Sequence, residues 1–126
     1  MGFWLFCTVM DLLVPAVMLF FGRRFQTKPP RTINALYGYR TARSMASQEA
    51  WDFAHRTCGR LWVRIGAALL ALAVLAAVLS FGLGAQGEGI VCGAVVTVQI
   101  VALIGSIGPV ERALKQNFDQ YGRRKE

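Results

Sequence analysis

With 126 residues the chain has room for one domain, 1–126, and not two. It is 55% hydrophobic yet carries a net charge of +7, a pairing that leaves two broad classes, nucleic-acid binder or membrane protein. The apolar residues gather in three long blocks, which excludes a separate soluble domain and decides for the membrane.

The first block runs from Phe3 to Phe21, long enough for a helix across a bilayer's hydrocarbon core of about 30 Å. No Lys or Arg precedes it, and it closes on Leu19-Phe20-Phe21 rather than small residues, so it reads as a retained helix and not a cleaved signal. It contains Asp11 and Pro15. A carboxylate at mid-membrane costs about 2.5–3.5 kcal/mol, which the surrounding Leu, Phe and Val offset. Asp11 is therefore either a functional carboxyl or a protonated group that bonds a neighbouring helix through Thr97 or Gln99. Pro15 removes the amide that would bond the Asp11 carbonyl and is expected to kink the helix.

Pro29-Pro30 then forces extended chain. In the following "YGYRTARSM", Gly38 suggests a turn or a close backbone approach. Ser44 and Ser47 are both helix N-cap candidates, with Glu49 in the first turn after Ser47. Trp51, Ala54, Cys58, Leu61, Trp62 and Ile65 share one helical stripe. The reading is a short amphipathic helix, bent at Gly59, that leads into the second membrane helix. Trp62 is read as an interface anchor, and Arg64 as a side chain that snorkels out.

The second span is placed at 61–83 and the third at 90–110, joined by the link "GAQGEG" at 84–89. Gly89 and Gly93, with Gly105, Ser106 and Gly108, are read as packing surfaces, within the bundle or between subunits of a homo-oligomer. The tail, 111–126, is expected to form a short basic helix. Eight Lys/Arg fall in the loop 22–60, five follow Val110 and none lies in the link. Positive segments stay inside, so the N-terminus is placed outside the cell membrane, and the loop and C-terminal tail in the cytoplasm. Attraction to the lipid bilayer's anionic headgroups accounts for the basic surplus without nucleic acid.

The fold expected is therefore all-α, an integral membrane three-helix bundle with a cytoplasmic loop that contains a short amphipathic helix. No enzyme chemistry is expected. There is no phosphate loop, and Ser44, Asp52 and His55 read as a cap, a surface charge and an exposed helix position. Cys7, Cys58 and Cys92, with a single His, suggest neither a disulfide framework nor a metal site, and no cofactor is expected.

Residues 28–55, "KPPRTINALYGYRTARSMASQEAWDFAH", resemble the SdpI family of bacterial membrane proteins. The family's loop signature is filled here by Pro29, Pro30, Asn34, Gly38, Tyr39, Arg40, Thr41, Ser44, Ser47, Glu49, Trp51, Ala54 and His55. Both ends of the chain resemble the short, three-helix members, whereas the best-known member is longer. The resemblance implies immunity to a secreted toxic peptide and signalling, in which an ArsR-type repressor is held at the membrane. On this reading Arg40 pairs with Glu49 or a headgroup, Tyr39 anchors at the interface, and Thr41 and Ser44 satisfy turn backbone. The 38–55 segment then serves either to dock a partner or to fold the loop. Two other classes stay open: a small transporter or channel subunit in which Asp11, Thr97 and Gln99 line a path, and a purely structural membrane subunit.

Overall fold

The computed structural model describes residues 2–125. Met1 and Glu126, the first and last residues of the expected domain and tail, lie outside the described residues. Four helices follow in order: α1 (Gly2–Thr27), α2 (Gln48–Ser80), α3 (Gly84–Gly105) and α4 (Ile107–Asn117). Among the described residues the fold is all-α, with one isolated bridge between Phe118 and Arg124. α1, α2 and the α3–α4 run are each long and apolar enough to cross a membrane, the pattern of a multi-pass membrane protein.

Several boundaries differ from the expectation. The first helix does not stop at Phe21 but runs to Thr27, because Arg23 and Arg24 are good helix formers and only the prolines ahead end the ladder. Nor is there a separate amphipathic helix bent at Gly59; one continuous α2 starts at Gln48, where Ser47 Oγ accepts from Ala50 N–H. The supposed link 84–89 is already helical. The real turn is Phe81–Leu83, with Gly82 at φ 81°. The third helix is interrupted at Ser106, since Pro109 has no N–H to give the Gly105 carbonyl. The tail does form a helix, α4, which buries Val110 and Leu114 and carries Arg112 and Lys115 on its exposed side.

α1 and α2 form the main helix pair. Cys7, Asp11, Pro15, Met18, Gly22 and Phe25 make the buried stripe of α1. It meets Cys58, Gly59, Gly66, Leu69, Ala73 and Ala76 of α2. Gly59 owes its identity to this contact rather than to a bend. A Cβ there would lie 2.6 Å from the Gly22 carbonyl, and one on Gly22 would lie 3.0 Å from the Gly59 carbonyl. Here small residues let two backbones touch. Of the small residues expected to pack within the bundle or between subunits, Gly89 lies against the Phe3 ring and Ser106 bonds Trp62, while Gly93, Gly105 and Gly108 face open space around this single chain.

Candidate functional site

The end of the bundle away from the Phe81–Leu83 turn is closed by the 28–47 segment, the start of α2, α4 and the tail. Its core is Phe25, which meets the His55 ring edge-on at 4.9 Å and lies 6.0 Å from both Tyr37 and Trp62. Trp51 is fully buried, lies tilted against His55 with ring centroids 4.4 Å apart, and donates from Nε1 to the Pro30 carbonyl at 2.8 Å. The Pro–Pro segment is thereby strapped to α2.

Gly38 makes the turn above these rings. Its φ of 116° suits glycine alone, and a Cβ would sit 2.6 Å from His55 Nε2. Immediately after it, Tyr39 N–H donates to His55 Nε2 at 2.9 Å. A backbone N–H can only donate, so Nε2 accepts, and the ring proton sits on Nδ1, which donates to Trp51 O at 2.8 Å. His55 precedes the apolar stretch that begins at Leu61. Burial holds its imidazole below the ordinary range. It is fully buried, not the exposed position expected.

Thr41 and Ser44 close the next turn reciprocally. Thr41 N–H donates to Ser44 Oγ at 2.9 Å, and Ser44 N–H to Thr41 Oγ1 at 3.2 Å. The Ser44 hydroxyl in turn faces the carbonyls of Tyr39 and Thr41 at 2.9 and 3.0 Å. Ser44 thus serves a loop turn, while Ser47 is the cap of α2. Ser47 also donates to the Gly122 carbonyl at 2.6 Å, which fastens the tail to the loop.

The Tyr39 hydroxyl reaches across to α4 and donates to Glu111 Oε1 at 2.7 Å. Burial, reinforced by that carboxylate, raises the phenol well above its usual range, so it remains a donor. Arg43 Nε lies 3.8 Å from the other Glu111 oxygen. Arg40 is not paired with Glu49. Its Nε donates to the Asn34 carbonyl at 3.1 Å, and Glu49 instead meets Arg124 at 3.0 Å, drawn there by the folded-back tail. Asn34 Oδ1 accepts from the amides of Leu36 and Tyr37 at 2.9 and 2.7 Å. That turn pushes Leu36 outward, where it is 95% exposed beside the exposed Arg40.

Trp62, half-buried, donates from Nε1 to Ser106 Oγ at 3.0 Å at the α3–α4 break. Deeper in the bundle, Gln99 Nε2 donates to the Asp11 backbone carbonyl at 2.6 Å. This is the carbonyl that Pro15 leaves without an amide. The Asp11 carboxyl faces the Cys92 thiol at 3.6 Å. Thr97 is not brought to them; it is exposed and donates to its own helix at Gly93 O, 2.7 Å.

Phe25 and Glu111 were not singled out from the sequence. For Phe25 a signal existed: it continues the spacing of Asp11, Pro15, Met18 and Gly22 around the helix. Glu111 had none, because its partner Tyr39 is 72 residues away.

The family model of the SdpI/YfhL protein family matches residues 31–110. Over 59 residues the chain is 36% identical to the uncharacterized protein YfhL of Bacillus subtilis (strain 168). That stretch is 47% of this chain and 54% of the relative, so the chain spans about half the length of the curated relative it matches. No solved structure matches. The chain belongs to the SdpI/YfhL family.

Proposed function

We propose that this SdpI/YfhL-family chain is a non-catalytic membrane receptor of the SdpI type, which protects its cell from a secreted toxic peptide and docks a cytoplasmic repressor of the ArsR type. On this reading the N-terminus lies outside the cell membrane, and the clasped end, with the loop and tail, lies in the cytoplasm. The basic residues of the loop and tail support that orientation.

The observation that carries the reading is how the signature residues divide. Gly38, Tyr39, Ser44, Trp51 and His55 are spent on internal bonds and packing, while Arg40 and Glu49 are exposed, and Leu36, which is not part of the signature, stands outward near Arg40 on the turn that Asn34 shapes. Clasp and docking surface are then two sides of one loop. Its second property is coupling. Tyr39 bonds α4, and Trp62 of α2 bonds Ser106, so a peptide that shifts α3 against α1 and α2 in the membrane also strains the loop.

The test uses a host sensitive to a secreted membrane-active peptide. Leu36→Ser with Arg40→Glu is compared with the parent for membrane level, melting in detergent, protection, and recovery of the regulator in the membrane fraction. The expected result is normal level and melting with recruitment lost. A folded double variant that still protects and recruits as the parent does would overturn the docking role.

A further inference from the structure

The clasped end carries a second feature, which the docking role does not use. A cleft of about 710 Å³ lies between the end of α1, the Pro–Pro segment and the start of α2. Arg24, Lys28, Arg31 and Arg56 line it, with Asp52 as its one carboxylate. The four cations come from three separate segments, and all are exposed. Among the described residues none of the four is in an ion pair.

We propose that this cleft is a binding site for a phosphate-bearing anion and that its occupant is the headgroup of an anionic phospholipid. The walls are fixed without a ligand. Trp51 holds the Pro30 carbonyl, and Gln48 Nε2 holds the Arg31 carbonyl at 2.6 Å and Asp52 Oδ1 at 2.9 Å. Four like charges held in one concavity repel one another, and a phosphate relieves that repulsion while offering the arginines paired oxygens.

Depth favours a lipid over a free anion. Arg24 is three residues beyond Phe21, where the apolar block ends, or about 4.5 Å along the helix. Arg56 is five residues before Leu61, or about 7.5 Å. The polar headgroup layer is about 5–7 Å deep on each side of the hydrocarbon core. The cleft therefore opens at the level of the lipid phosphates. The inference rests on the membrane reading of the helices and stands apart from the docking of a repressor.

The experiment places the protein in nanodiscs of phosphatidylcholine containing a minor fraction of labelled phosphatidylglycerol and measures the labelled lipid retained at the protein. A triple variant, Arg24→Gln with Arg31→Gln and Arg56→Gln, is compared with a control, Arg112→Gln with Lys115→Gln and Arg123→Gln, which removes the same charge elsewhere at that end. Retention is expected to fall at least tenfold in the first, whose residues contact the headgroup at about 1 kcal/mol, or about fivefold, each, and less than threefold in the second, whose residues do not line the cleft and act only through the screened surface field. Asp52→Asn, which keeps an acceptor for Gln48, should raise retention. Equal losses in the two triple variants would overturn the site, leaving only general attraction to the surface. Displacement of the lipid by low-millimolar inorganic phosphate would overturn the lipid as occupant. A misfolded triple variant does not end the test, because unchanged or lowered retention in Asp52→Asn counts against the cleft.

Discussion

His55 is the residue on which the signature loop turns. Its neutral ring accepts the Tyr39 amide on one nitrogen and donates to Trp51 O from the other. Protonation would set an N–H against an N–H. The folded chain therefore takes up this proton less readily than the unfolded chain, consistent with the lowered imidazole pKa. The stability it contributes is complete above the ordinary histidine value of 6.5 and is lost as pH falls through the lower folded value. Melting in detergent should decline over that acid range, and the histidine share of the decline should vanish in His55→Gln. An identical acid profile in parent and variant would show that the ring does not titrate against the fold. Gln99 poses a similar local question, since its amide occupies the carbonyl that Pro15 freed. Gln99→Leu should lower stability by about 0.6–2 kcal/mol in detergent unfolding, the range for interhelical polar bonds in membranes. A silent substitution would mean that the Asp11 carbonyl needs no partner.

At the scale of the elements, the sequence made the three apolar helices plain but not their ends. Hydrophobicity marks where lipid is, whereas a helix stops where its hydrogen-bond ladder fails. α1 outruns its apolar block as far as the residues before Pro29-Pro30, and the third apolar block breaks near Ser106 because of Pro109. Glycine was the least legible residue, because the same residue serves as a bend, a close contact or plain surface. Gly59 is a contact and Gly93 is surface. Gly59→Leu should cost about 3 kcal/mol or more, since the α1 backbone lies where its side chain would go. Gly93→Leu should change stability by less than about 1 kcal/mol. Unfolding of the two variants in one detergent compares them directly, and equal losses would contradict the assignment of the α1–α2 seam.

Across the whole molecule, the loop and tail meet at one end through Tyr39–Glu111, Ser47–Gly122 and Glu49–Arg124. Three crossings require them to share a side, as the charge pattern anticipated. A fluorescent protein fused after Lys125 should be bright and alkaline phosphatase fused there inactive, the pattern of a cytoplasmic C-terminus; the reverse pattern would invert the topology. The signature residues were legible as a group because they are close in sequence. Their partners were not, because Phe25, Glu111 and Gly122 approach only once the helices have packed. That is why the sequence suggested Glu49 or a headgroup for Arg40, and of these Glu49 is taken by Arg124 of the folded tail.

The signature loop is a bonded part of the bundle, in which most of the signature side chains are at least half-buried and Arg40 and Glu49 are exposed. Amide hydrogen exchange in nanodiscs, read residue by residue at neutral pH, tests it most directly. Tyr39 and Thr41, whose amides are held by His55 Nε2 and Ser44 Oγ, should exchange nearly as slowly as amides early in α2. His55→Ala should speed Tyr39 by at least about tenfold, the factor for roughly 1.4 kcal/mol of lost protection, and leave mid-α2 unchanged. Free exchange at Tyr39 and Thr41 in the parent protein, as fast as in an unstructured peptide, would contradict the clasp and the docking surface built on it.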